Sequence, residues 1–114
     1  MKSFSRFPLF AALFCLVCPV LAWAAAPNPV FVLNSLDGNV SVIDPATWKE
    51  VKRIPTGKEP HHLYMTPDEK SVIVANALSD SLTFIDPRTA EVQREVRGIL
   101  DPYHLRFSPD MKWF

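Results

Sequence analysis

Beyond residue 24 the chain has no cysteine. A mature protein starting there forms no disulfide, no thiolate metal site and no covalent c-type haem link. Cys15 and Cys18 have a C-x-x-C spacing, but both lie inside the uncharged run Phe7–Leu21, where no folded site forms. Neither follows a small residue, as a lipoprotein cysteine would. Glycine is scarce too, with three in the chain. Gly57-Lys58 stands without the Gly-x-x-x-x-Gly-Lys-Ser/Thr frame, which excludes a P-loop, and no Gly-x-Ser-x-Gly elbow is present. Neither sign of charge dominates: twelve Lys and Arg face twelve Asp and Glu, interspersed. Without a basic stripe to neutralise phosphates, nucleic acid is excluded as a partner. Outside the first segment no stretch sustains a 3.6-residue period, so a helical domain is excluded as well.

What is present begins with an export leader. Lys2 and Arg6 form a basic start, the apolar run follows, and Ala22-Trp23-Ala24 supplies the small-residue cleavage pattern. The run is short for a membrane span, which needs about 20 apolar residues. Residues 1–24 read as a signal-peptide helix cleaved after Ala24, and 25–29 as a linker. The product is periplasmic or secreted and has no stable membrane span. Loss of Lys2 and Arg6 leaves ten basic against twelve acidic residues, a formal charge of −2.

The rest of the chain repeats itself. A shift of 42 carries Asn34 to Asn76, Asp44-Pro45 to Asp86-Pro87, Thr47 to Thr89, Pro60 to Pro102, His62 to His104, Leu63 to Leu105 and Pro67-Asp68 to Pro109-Asp110. Between Trp48 and Gly57 the shift reads as 41, pairing Val51 with Val92 and Gly57 with Gly98. Within each unit the pattern is β. "VFVLN" and "SVIVAN" are β-branched and apolar. "NVSVIDP" and "SLTFIDP" alternate, as do "HLYM" and "HLRF", and "EVKRI" and "EVQREV" add weaker strands. Thr-Pro-Asp, Ser-Pro-Asp and Asp-Pro-x-Thr supply turns between them.

Four short strands in about 42 residues is the size of a propeller blade. The pieces "VIVAN", "NVSVID", "SLTFID", "GKEP", "TPDEK" and "SPDMK" resemble the YVTN-type β-propeller repeat family, over Val30 to Phe114. Glu69 and Met111 stand where that family has a turn glycine, so a different hairpin or local strain is expected there. The resemblance implies an all-β fold of antiparallel four-stranded blades in two units, about 30–71 and 72–114. A propeller has roughly four to eight blades. Residues 30–114 therefore read as the first part of a longer propeller, with a ring of several copies as the alternative. The family also contains haem-d1 domains of periplasmic enzymes and propeller lactonases, so fold is weak guidance to chemistry.

In the family arrangement the strand after Gly-x-x-Pro is innermost and lies beside the central channel. This makes His61, His62 and His104 the candidate cofactor-binding residues, with Tyr103 and Arg106 near them in sequence. Imidazoles at a channel mouth can ligate iron or act as bases. The repeated Pro-x-His-Leu instead favours scaffold histidines at 62 and 104, each bonding a loop carbonyl. His61 breaks the repeat, its counterpart being Tyr103, and so has the stronger claim on function. Ser41 and Thr83 read as polar interblade positions, Trp48 as a packing or loop residue, and Asp44 and Asp86 as turn caps. No catalytic residue and no metal site is expected. The reading is a binding or scaffold module without autonomous catalysis, whose partners are a small molecule or protein at the channel and the remaining blades. No cofactor is expected. The alternatives are a haem-d1-type redox propeller with a histidine as axial ligand, or a lactonase.

Overall fold

The computed structural model describes residues 28–114; the expected signal peptide, 1–24, lies outside the described residues. Seven strands follow the β-branched and alternating runs: β1 (Val30–Asn34), β2 (Asn39–Asp44), β3 (Lys49–Pro55), β4 (Pro60–Met65), β5 (Val72–Asn76), β6 (Ser81–Ile85) and β7 (Val92–Arg97). They form two antiparallel sheets, β1-β2-β3 and β4-β5-β6-β7. One 3₁₀ turn, Ala77–Ser79, is the helical content of the described residues. The fold is all-β and consists of incomplete propeller blades.

A sequence repeat has no intrinsic starting point, and the sheets choose one. The strand containing "HLYM", β4, pairs with β5 and opens the second sheet rather than closing the first. Among the described residues the first sheet thus has three strands. The expected strand at "HLRF" does not form: residues 102–107 have no ladder. No strand among the described residues pairs with it. The segment nonetheless occupies the β4-like place, with Leu105 only 5% exposed.

Strand pairing keeps the shift of 42 throughout and removes the apparent shift of 41. Ile43 pairs with Glu50 as Ile85 pairs with Val92, and Val40 with Ile54 as Leu82 with Val96. The register slips at the same point in both sheets, opposite Val42–Ile43 and opposite Phe84–Ile85, where Val51 of β3 and Gln93 of β7 are the extra residues, so no residue is lost. The two glycines are not equivalent. Gly98 matches Thr56: both donate to the carbonyl one repeat apart, Gly38 and Asp80. Gly57 serves a close approach, since a Cβ there would stand 2.7 Å from Asn76 Cβ.

Left-handed backbone also recurs at 42. Gly38 and Asp80, Trp48 and Ala90, Glu59 and Asp101, and Glu69 and Met111 all have positive φ. At the last pair the missing turn glycine does not change the hairpin. Both residues adopt φ 56°, so the conformation is kept and strain of about 1–2 kcal/mol is borne instead. Thr66 and Ser108 anchor these turns, each donating its hydroxyl to the aspartate two residues on, Asp68 and Asp110.

Two apolar clusters hold the sheets. Val40, Val42 and Ile54, with Phe31 and Leu33, meet Val74, Ile85, Ala90 and Leu63 between the sheets. On the far side of the second sheet, Ile73, Ala75, Leu82 and Phe84 pack with Leu105, Tyr64, Val96 and Phe107. Strands β5 and β6 are buried at every position because both of their faces are covered. Such strands read as continuous apolar runs in sequence.

Candidate functional site

The candidate histidines gather at one edge. Buried Pro60 sets the entry of β4, and the register slips between Pro60 and His62. That irregularity presents both imidazoles toward the segment after Pro102, which is also buried. Equivalent positions then line up. His61 meets its own counterpart Tyr103 at a ring separation of 4.2 Å, and His62 meets His104 at 4.5 Å. Tyr103 and His104 rings stand edge-on at 4.9 Å. The segment after Pro102 lies against β4, so the repeat places like beside like.

His62 is half-buried; His61, Tyr103 and His104 are exposed. Burial lowers the His62 pKa below its ordinary value, and the neighbouring His104, His61 and Arg106 add to the effect. The imidazole is thereby held toward its neutral form. Its Nδ1 is buried and has no hydrogen-bond partner. Among the described residues, no hydrogen bond joins the His62 or His104 ring to a loop carbonyl, the bond expected of scaffold histidines. Nor is any group of three or more His, Cys, Asp or Glu arranged to hold a metal ion among the described residues.

Other sequence candidates take structural places. Asp44 caps its turn through Ala46 N and the Thr47 hydroxyl, and Asp86 does so through the amides of Arg88 and Thr89. Those bonds lower the Asp86 pKa. Trp48 is 74% exposed at a left-handed turn. Ser41 and Thr83 each accept a hydrogen bond from an asparagine of their own hairpin, Asn34 at 2.8 Å and Asn76 at 2.9 Å. This Asn–hydroxyl pair escaped the sequence reading, although the 42-residue recurrence of both members signals it. Asn76 is fully buried and its Oδ1 has no partner.

No curated protein matches the chain. Among solved structures it is similar to the dihydro-haem d1 dehydrogenase NirN in complex with DHE, 26% identical over 84% of this chain with a TM-score of 0.67. Hydrazine synthase of Kuenenia stuttgartiensis is 27% identical over 77%, with a TM-score of 0.63. The periplasmic gluconolactonase PpgL of Pseudomonas aeruginosa is 29% identical over 69%, with a TM-score of 0.52. The chain spans 21% of the first of these, 26% of the second and 24% of the third. The YNCE-like beta-propeller family matches residues 9–114, nearly the whole sequence, and the chain belongs to it.

Proposed function

We propose that the chain supplies adjoining blades of an exported β-propeller that binds a small ligand at the edge formed by His61, His62, Tyr103 and His104, with no catalysis of its own. One observation carries this reading: three imidazoles and a phenol from consecutive repeats converge on that edge, where the buried His62 Nδ1 has no partner. An orphaned buried polar atom costs about 1–3 kcal/mol, so a ligand that satisfies it would be favoured. The leader layout around Lys2, Arg6 and Ala22-Trp23-Ala24 supports export, and likeness to a periplasmic gluconolactonase agrees with a periplasmic location.

A haem-d1-type propeller is the second reading, favoured by the likeness to NirN with its bound DHE. Neutral imidazole is the form that ligates iron, and burial keeps His62 in that form. His62 or His104 would then hold the haem, which would supply redox chemistry.

Two measurements test the proposal. Mass spectrometry of the exported fraction is expected to give a chain starting near Ala25; an intact Met1 there would overturn export with cleavage. Titration of the full chain with haem d1, followed by absorbance, separates the readings. Under the leading one no ligated spectrum develops. A spectrum lost in His62→Ala, with the fold retained, would replace it by the redox reading.

A further inference from the structure

The two sheets leave a cleft between them that none of the three histidines lines. One wall is the end of β3 and the loop after it, residues 55–58; the other is Thr83, Val92, Glu95 and Arg97. The second wall is the face turned to the first sheet: Val92 pairs with Ile85 of the inter-sheet cluster, and Glu95 with Thr83. The cleft measures about 510 Å³, a size that holds a small molecule.

The repeat shows what this space lacks. In the first sheet, Ser41 Oγ accepts a hydrogen bond from Asn34 and donates its own hydrogen to Glu50 Oε2 at 2.6 Å. Glu50 in turn holds Arg53. Thr83 is the counterpart of Ser41 and accepts from Asn76 in the same way. The counterpart of Glu50 is Val92, and that of Arg53 is Glu95. Val92 offers no oxygen, so among the described residues the Thr83 hydroxyl has no acceptor, although Thr83 is only 3% exposed. Asn76 lies against the opposite wall, since a Cβ on Gly57 would stand 2.8 Å from its Cγ. Its buried Oδ1 is also without a partner. Buried polar groups are as a rule paired, and here two unused ones border an open space.

The rest of the lining mixes donors and acceptors. Glu95 spends Oε2 on Arg97 and makes no hydrogen bond through Oε1 among the described residues. Ser79 Oγ, beside it in the cleft, accepts the Lys58 amide at 2.6 Å and keeps its own hydrogen. An anion would meet the Glu95 carboxylate and a cation the Arg97 guanidinium. A hydroxyl group both donates and accepts, and so suits each of these partners. Val92 and Leu78 add apolar contact for carbon.

We propose that the cleft between the sheets is a second binding site, which takes a small uncharged molecule bearing hydroxyl groups. One ligand oxygen accepts from Thr83, at the place the Glu50 carboxylate holds in the first sheet. This site does not depend on the histidine edge.

The test follows the Thr83 and Val92 methyl groups and the Lys58 amide of the full chain by nuclear magnetic resonance. Methyl glucoside is the probe; acetate and methylammonium are charged controls at constant ionic strength. A saturable shift of all three signals is expected with methyl glucoside alone. Val92→Glu combined with Glu95→Arg gives the second sheet the side chains that fill the first. It is expected to keep the fold and lose methyl glucoside at least about tenfold, because the new carboxylate takes the Thr83 hydrogen and occupies the space. Glu95→Ala, which removes one acceptor, is expected to weaken binding about fivefold. Full binding by either variant overturns the proposal. So does silence of the unaltered chain to methyl glucoside, which would mean that water fills the cleft. An equal response to either charged control overturns it as well.

Discussion

The two apolar contacts of this molecule use the same residues one repeat apart and differ in what they meet. In the first, Phe31, Leu33, Val40, Val42 and Ile54 face a complete set of partners, and Val40, Val42, Val74, Ile85 and Ala90 are all 0% exposed. In the second, their counterparts Ile73, Ala75, Leu82, Phe84 and Val96 pack with Leu105, Phe107 and Tyr64, and Phe84 stays 7% and Leu105 5% exposed. Val74, Ile85 and Ala90 have no counterparts one repeat on among the described residues. A blade therefore carries one face that completes the contact before it and another that waits for the next. Arg94 stacks over the Phe84 ring at 3.7 Å and partly covers that second face.

The largest effect should separate the two contacts directly. Ile85→Ala removes a fully buried side chain from the complete one and is expected to cost toward the upper end of about 2–5 kcal/mol. Leu105→Ala, in the sparser contact, should fall at the lower end because its surroundings can relax or admit water. Urea midpoints at unchanged slope measure both. Equal losses would mean that the second contact is packed as well as the first.

Glycine substitutions come next. In Gly57→Ala the added methyl would meet Asn76 Cβ at 2.7 Å and Ser79 Cβ at 2.9 Å. Overpacking of this kind costs about 1–3 kcal/mol. Gly98→Ala has open space but φ +83°, so about 1–2 kcal/mol of backbone strain is expected there. Thermal unfolding of the two variants reads the difference; a harmless Gly57→Ala would show that β5 can shift away.

A smaller, favourable change is expected at the equivalent hairpins. Glu69→Gly and Met111→Gly relieve left-handed strain of about 1–2 kcal/mol and add back about 0.5–1 kcal/mol of unfolded-state entropy. A net gain of about 0.5–1 kcal/mol should appear in the melting temperature of each variant. It should be larger at Glu69, whose hairpin joins two paired strands, than at Met111, whose hairpin joins none.

The smallest effect is in acid. Hydrogen bonds from Thr66 and the Lys70 amide lower the Asp68 pKa below 3.8, and those from Ser108 and the Lys112 amide do the same to Asp110. An aspartate lowered in the folded state stabilises it above the unfolded value and loses that contribution as pH falls through the folded one. Unfolding followed from pH 5 to pH 2 should steepen below about pH 4. Asp68→Asn should flatten part of that slope, and an unchanged slope would mean that the turn carboxylate is not held in solution.

Much of the fold was legible before any coordinates. Strands rich in Val and Ile, alternation and Pro-Asp turns identify β structure because each reflects a local backbone or burial preference. The expected strand at "HLRF" failed because pairing is non-local: its residues have the pattern, but a ladder needs a partner. The misread shift of 41 has a similar origin. Gly57 and Gly98 look alike in sequence, yet one answers a close approach and the other a left-handed φ. At the site, the repeat pointed to His62 and His104. That His61 would lie against Tyr103 was invisible, because the contact joins residues a whole repeat apart.

The sequence by itself determined the period of 42 residues, the strand-forming runs, the turn aspartates and the apolar faces, since these depend on residue type and spacing along the chain. Only the tertiary structure decided where one sheet stops and the next begins. It also decided which glycine is needed for contact, and that His61 lies against Tyr103 and His62 against His104. Each of these depends on what a distant segment places opposite a residue, and neither composition nor periodicity specifies that distance in space.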